Sequence, residues 1–141
     1  MQTPLCDLLI AGQAIVTRYK AAKVWTELHR FLAMTEDGAA VQSVQGGECI
    51  GVSTKSTRGQ GNLGVVVEIL GFSTVEAGGQ VRAGDEVISD REGRAIKDPQ
   101  SPGSIVHIQG VARTGGVEGK NVRVELGRYR LVHPEIRGGE R

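Results

Sequence analysis

The chain carries at residues 86–96 the stretch EVISDREGRAI, which repeats the plan of residues 31–41, FLAMTEDGAAV. Each stretch begins with mainly apolar residues, passes through an acidic residue followed by glycine, and returns to apolar residues. Asp37–Gly38 and Glu92–Gly93 supply the positive φ that a tight hairpin requires. Both stretches are therefore predicted to be β-hairpins, and their likeness indicates an internal duplication.

The segments that follow the two hairpins also correspond to each other. IGVST at residues 50–54 matches QGVAR at residues 109–113, and GVVVEILG at residues 64–71 matches NVRVELG at residues 121–127. These matches define two repeat units, residues 28–71 and 75–127. We expect the two units to form one β-barrel domain over residues 26–127, with a shared core.

The hydropathy pattern of the last matched segments predicts strands in two different settings. In VRVEL at residues 122–126, apolar and charged residues alternate, so the strand has one buried face and one solvent-facing side. The run VVV at residues 65–67 has no polar face, which indicates a strand covered on both sides. A small β-barrel or sandwich satisfies both patterns and pairs the strand edges. The predicted fold class is therefore all-β.

Glycine is unusually frequent, with 21 residues against only 4 prolines. The glycines follow no collagen period and lie among Val- and Ile-rich segments, which is typical of turns between many short strands. We assign structural turns to five of them: Gly38, Gly71, Gly84, Gly93 and Gly127.

Both ends of the chain lie outside the repeat. Residues 1–25 are predicted to be an N-terminal arm or leader, and residues 128–141 a strand end followed by a polar tail. Within the arm, residues 14–19 have the β-branched and aromatic content of a strand. An extended arm can add a strand to the edge of a partner's sheet. The residues that we assign to such a contact are Leu5, Leu8, Leu9, Ile10, Ile15, Val16 and Tyr19.

Charge and hydropathy argue against two classes of partner. The chain has 17 Lys and Arg residues and 16 Asp and Glu residues, interspersed along the sequence, with a formal net charge of +1. Proteins that bind duplex nucleic acid usually concentrate basic residues, because phosphate neutralisation supplies much of their affinity. The N-terminus lacks the basic residues of a secretion signal, and no apolar run reaches membrane length. We expect neither nucleic acid nor a membrane as partner.

Motifs for catalysis or cofactors are weak. GQGNLG at residues 59–64 fits the dinucleotide-binding string, but VVV follows it where a helix would have to begin. The polar loop at residues 53–58 offers hydroxyls and bases to a phosphate, yet lacks an acid-bearing strand beside it. His29, His107 and His133 are too widely spaced to suggest a metal site. The sequence therefore predicts no enzyme activity, no cofactor and no metal.

The second repeat resembles tailed-phage capsid decoration proteins, also called head cement proteins, a group known from prophages as a domain of unknown function. The similarity lies in TVEAGGQVRAGDEVISDREGRAI at residues 74–96, QGVAR at residues 109–113 and VRVEL at residues 122–126. The first repeat matches more loosely, since no Ala-Gly-Asp turn precedes its hairpin. The likeness covers about residues 28–127 and leaves both ends outside it.

The resemblance implies a small β-barrel, often a homotrimer, that binds the major capsid protein where capsomers meet. Such a protein is made in the host cytoplasm, sits on the outer surface of the virion and stabilises the shell without catalysis. The residues alone leave two other functions open. One is a generic ligand-binding β-barrel module, and the other is a trimeric nucleotide hydrolase of the dUTPase kind.

Overall fold

The structure is a computed structural model that describes residues 14–21, 28–36, 39–42, 45–53 and 65–135. These residues form strands and turns without a helix, which confirms the predicted all-β class. Val65 begins a strand directly after the GQGNLG string, so the helix of a dinucleotide site is absent there. The strands are β1 (Ala14–Ala21), β2 (Phe31–Met34), β3 (Ala39–Gln42), β4 (Gly51–Ser53), β5 (Val65–Glu76), β6 (Glu86–Ser89), β7 (Ala95–Lys97), β8 (Ile105–Ala112) and β9 (Asn121–Val132).

The order of the strands in the sheet is palindromic. The sheet runs β1-β3-β2-β4-β5-β9-β8-β6-β7, and the antiparallel pair β5 and β9 lies between the two halves. If β6, β7, β8 and β9 are matched to β2, β3, β4 and β5, the second half repeats the first in reverse order. The fold therefore carries the duplication that the sequence indicates.

Residue pairing within the two halves follows the same register. Val52 of β4 lies opposite Glu68 of β5, and Val111 of β8 lies opposite Glu125 of β9. These are the residues that the two repeats place at equivalent positions in the sequence. Side chains thus point to matching faces of the two halves.

Strand β1 closes the first half into a ring. It pairs parallel with β3 at the end of the sheet and antiparallel with the first part of β5. Five strands, β1, β3, β2, β4 and β5, are therefore joined in a closed circle. In the second half, the last part of β5 pairs with β9, and a bridge between Ala77 and Ala95 nearly closes a second ring. The long strand β5 is shared by both rings.

The pairing of the shared strand β5 shows that the first repeat unit begins closer to the N-terminus than residue 28. Val16 lies opposite Glu68, and Phe72 lies opposite Glu125, so β1 is the structural equivalent of the last part of β5. Three residues of the predicted arm, Ile15, Val16 and Tyr19, thus lie in a strand of the chain's own sheet. The other four, Leu5, Leu8, Leu9 and Ile10, lie outside the described residues.

Two of the predicted turn glycines are not in turns. Gly71 lies inside β5 with φ 93°, at the point where this strand exchanges β1 for β9 as its neighbour, and Gly127 lies inside β9. Gly84 and Gly93 lie in turns with φ of 95° and 80°. Gly38 lies outside the described residues. Strand β9 continues to Val132, so the C-terminal segment predicted over residues 128–141 begins with a strand end, as the sequence indicates.

The largest of three hydrophobic clusters among the described residues joins the two halves. The largest buried cluster contains Phe31 and Val52 from the first half together with Val87 and Val124 from the second. Backbone contacts add to this connection, since the Phe31 N–H donates to the carbonyl oxygen of Gly93 at 2.6 Å. The two repeat units therefore form one domain.

Candidate interaction surface

Strand β9 separates from β5 halfway along its length. Residues 121–126 pair with β5, ending at the pair of Leu126 with Gly71. Beyond this point β5 continues beside β1, while β9 passes a β-bulge at residues 127–128 and then pairs through residues 129–132 with β8 alone. The side of this segment that faces away from β8 has no partner strand in the part of the chain that the structure describes. We call this side, from Arg128 to Val132, the β9 edge.

The hydrogen bonds around β9 identify which peptide groups lie on this edge. The Arg113 N–H donates to the Arg123 carbonyl at 2.7 Å, and the His133 N–H donates to the Ser104 carbonyl at 2.8 Å. Odd-numbered residues of β9 thus direct their peptide groups toward β8. Peptide groups alternate between the two sides of a strand. In the regular pairing after the β-bulge, the N–H and C=O groups of Arg130 and Val132 therefore point away from β8.

A groove of about 780 Å³ lies beside the β9 edge, between the two halves of the sheet. Three large apolar side chains along it are unusually exposed: Met34 at 49%, Leu70 at 47% and Tyr129 at 43%. Exposed apolar side chains that lie together often mark a contact surface. We refer to this feature as the β9 groove.

Arginine side chains dominate the charge of the β9 groove. Arg128 donates from Nη1 to the carbonyl oxygen of Cys49 at 2.6 Å, which ties its guanidinium to the groove wall. Arg130 is exposed and has neither an ion pair nor a hydrogen bond among the described residues. Among the described residues that line the groove, Glu48 is the one carboxylate. An occupant with negative charge near Arg130 is therefore favoured over a basic one.

Gln109 lies at the groove with one amide atom unsatisfied. The residue is 1% exposed, and its Nε2 donates to the carbonyl oxygens of His107 at 3.0 Å and Gly47 at 3.1 Å. Its Oε1 is buried and accepts no hydrogen bond from the described residues. A buried acceptor without a donor costs free energy. This cost falls inside the fold, because the oxygen itself is not exposed.

A network of charged side chains braces the hairpin of β6 and β7 against the first half. Arg94 Nε lies 3.0 Å from Asp90 Oδ2, and Arg30 Nη2 lies 3.0 Å from Glu76 Oε1. Burial of Arg94 would lower its pKa, but the carboxylates of Asp90, Glu92 and Glu118 outweigh this effect and raise it. These ion pairs connect the hairpin to the first half and therefore support the fold.

The three histidines belong to different parts of the domain. His29 is in a turn, His107 lies along the β9 groove, and His133 Nε2 lies 2.7 Å from Asp98 Oδ2. No group of three or more His, Cys, Asp or Glu side chains within the described ranges is arranged to hold a metal ion. No helix in the same ranges is long and apolar enough to cross a membrane.

The polar loop singled out in the sequence contributes little to the described surface. Residues 54–64, which include most of this loop and the GQGNLG string, lie outside the described residues. Ser53 is buried, and its Oγ accepts a hydrogen bond from the Arg30 N–H at 3.1 Å, which is a structural role. The β9 groove was not predicted, because its residues come from distant strands and share no local motif.

Comparison with known proteins identifies a similar fold. No protein-family model matches the chain, and no curated protein matches it significantly. Among solved structures, the chain is similar to the head fiber gp8.5 N base of bacteriophage phi29, with 22% sequence identity and a TM-score of 0.65. The match covers 84% of this chain and 100% of that chain. The chain therefore shares its fold with the base of a phage head fiber.

Proposed function

We propose that the chain is a structural protein of a bacteriophage virion, which binds the outer surface of the head and stabilises the shell. The observation that carries this proposal is the full-length match of the phi29 head fiber base to the two-unit sheet. The resemblance of residues 74–126 to capsid decoration proteins supports the same role, on separate grounds. Fold alone does not determine function, so the proposal rests on the structural similarity and the sequence resemblance together.

In this proposal the partner is the major capsid protein, and the chain acts as a homotrimer without a cofactor or an enzymatic step. A decoration protein occupies many equivalent positions on a shell, so modest contacts at each position add up to stable attachment. The exposed apolar side chains and the β9 edge are suited to a protein partner, because both are satisfied by another polypeptide.

The test is a decoration assay with expanded heads that lack this protein. Purified chain is added to the heads, unbound protein is removed by sedimentation, and the particles are imaged by electron cryomicroscopy. We expect added density at regular positions on the outside of the shell and greater resistance of the heads to heat. Light scattering of the free protein tests the trimer separately. Heads that sediment without the chain at any protein concentration would exclude the decoration role.

The β9 groove favours one other candidate, a ligand-binding β-module. Its volume of about 780 Å³ is within the range of small-molecule sites, but Tyr129 is the one Phe, Trp or Tyr among its described lining residues. Binding of a small sugar or nucleotide, detected by calorimetry and lost on changing Tyr129, would favour this candidate. The nucleotide-hydrolase reading has no observation in the described residues that favours it.

A further inference from the structure

We infer that the β9 edge is an acceptor site for an extended segment of a partner protein, which adds as a strand beside Arg128–Val132 with acidic side chains facing the arginines. This inference deepens the proposed function and relies on it only for the partner's identity as a capsid protein. It differs from the contact assigned to the N-terminal arm: the arm would add a strand to the partner's sheet, whereas here the partner adds a strand to the sheet of this chain.

The peptide groups of β9 give the first argument. Arg130 and Val132 direct N–H and C=O groups away from β8, and no described strand meets them. A row of alternating donors and acceptors is satisfied best by another extended backbone. A small anion or a sugar would satisfy only one or two of these groups.

The side chains give the second argument, which is one of charge. Strand pairing places the side chains of Arg128 and Arg130 on one face of β9 and that of Tyr129 on the other. An added strand presents residues opposite these positions with the same alternation. Carboxylates opposite the arginines would form charge-assisted hydrogen bonds, and apolar residues on the alternate face would cover Tyr129. The matching segment thus alternates acidic and apolar residues.

The β9 groove provides the space for such a segment. It runs beside the edge, and Met34 and Leu70 line it with about half of each side chain exposed. The unsatisfied Oε1 of Gln109 is buried at the same groove. An added polypeptide segment brings apolar side chains that can cover Met34 and Leu70, whereas the Gln109 oxygen is buried within the fold.

One substitution can block the edge without breaking the sheet. Proline at position 130 removes an N–H that points away from β8, so the ladder between β8 and β9 stays intact. Arg130→Ala removes the same side chain but keeps the N–H, and is the matched control. Tyr129→Pro removes an N–H that points toward β8 and is expected to destabilise the fold.

The direct test uses a blocked nine-residue peptide in which valine alternates with glutamate and threonine, added to the labelled full chain and followed by NMR. We expect shifts at the amides of Arg130 and Val132, and affinity reduced about tenfold or more when lysine replaces glutamate. Arg130→Pro should abolish the shifts, whereas Arg130→Ala should weaken binding and keep the pattern. Equal binding of the two peptides, or shifts that avoid these amides, would overturn the inference.

Two further outcomes separate the inference from its alternatives. If the same amides shift on concentrating the chain without peptide, a second copy occupies the edge and the assignment is overturned. In the decoration assay, wild-type binding with complete loss in folded Arg130→Pro supports the inference. Equal decoration by wild type and Arg130→Pro overturns it and leaves the proposed function standing. If the wild type does not bind the heads, the proposed function is wrong. The peptide experiment then still tests whether the β9 edge accepts a strand.

Discussion

Gly51 and Gly110 occupy the same position in the two halves of the sheet, each pressed against the backbone carbonyl of a glutamate. A Cβ added to Gly51 would collide with the carbonyl oxygen of Glu68, and one added to Gly110 would collide with that of Glu125. The close approach of strands β4 and β8 to their neighbours therefore requires glycine in both copies. The two halves therefore share this packing requirement as well as the order of their strands.

We predict that Gly51→Ala and Gly110→Ala both destabilise the domain, by about 3 and about 2 kcal/mol. In both, the new methyl group must push a paired strand away from its neighbour. Gly51→Ala is the more costly change because Gly51 also has φ 156°, which side chains rarely adopt. The free energy of unfolding from urea titrations, monitored by circular dichroism, measures both effects.

Gly127→Ala is the matched control for this pair. Gly127 lies in β9, has no neighbour within 4 Å of an added Cβ, and has no positive φ. We expect its replacement to change the free energy of unfolding by less than about 1 kcal/mol. A loss as large as that of Gly110→Ala would mean that Gly127 does have the turn role first assigned to it.

The repeat was predictable because each half keeps its hairpin, its Gly-Val strand and its Val-Glu strand in the same order. Aligning those segments also gives the strand register, since Val52 and Val111 each face the glutamate of the following matched strand. Alternation and turn chemistry are local signals, and they identify strands well when a second copy repeats them. The all-β class followed from these signals.

The boundaries of the units were not predictable from the same signals. Gly71 resembles a strand-ending glycine, but β5 passes through it and exchanges one neighbouring strand for another. The equivalence of β1 with the last part of β5 rests on backbone pairing, and their sequences share few residues. The β9 edge arises where two strands diverge, which is a tertiary feature that no local pattern records.

Arg94→Ala is predicted to destabilise the domain by about 2 kcal/mol. The side chain is 18% exposed and bonds the carboxylate of Asp90, which is itself only 12% exposed. Removing the arginine leaves that carboxylate largely buried without its charged partner. Urea unfolding measures the loss.

Arg113→Ala is the control for this prediction. It removes the same charge from an ion pair with Glu125 that is about half exposed, and should lower the free energy of unfolding by no more than about 0.5 kcal/mol. Similar losses in the two variants would contradict the account.

Truncation at the N-terminus should separate folding from partner binding. Deleting residues 2–19 removes the backbone pairs between β1 and β5, which run from Ala14 with Gly71 to Tyr19 with Val65. We expect this protein to lose cooperative unfolding, because the first part of β5 then has an unpaired edge and only Lys20 and Ala21 remain to pair with β3. Deleting residues 2–12 removes none of the described pairs, and should change the free energy of unfolding by less than about 0.5 kcal/mol.

The shorter truncation also tests the arm. If Leu5, Leu8, Leu9 and Ile10 contact the shell, heads incubated with the protein lacking residues 2–12 should bind less of it than of the full chain. Undiminished decoration by that folded truncation would remove these four residues from the contact. A cooperative, wild-type-like unfolding curve for the longer truncation would contradict the role of β1 in closing the first ring.

Stability should fall in mild acid through His29. Burial lowers the pKa of this histidine below 6.5, although the carboxylates of Glu68 and Glu76 act in the opposite direction. Between the lowered folded pKa and 6.5, the unfolded chain therefore binds more protons than the folded one. The contribution of the neutral His29 side chain to the free energy of unfolding is complete above pH 6.5. It is lost as the pH falls through the pKa of His29 in the folded chain.

His29→Asn tests this linkage with little disturbance of the backbone. His29 has φ 60°, a conformation that asparagine adopts more readily than most residues, and its peptide groups bond Ser53 and Glu76. We expect the variant to gain stability relative to wild type when urea unfolding is moved from about pH 7.5 to about pH 5. Other titrating groups affect both proteins alike, so the difference between them isolates the histidine. A difference that stays constant over this range would show that His29 binds protons equally in the folded and unfolded chain, against the effect of its burial.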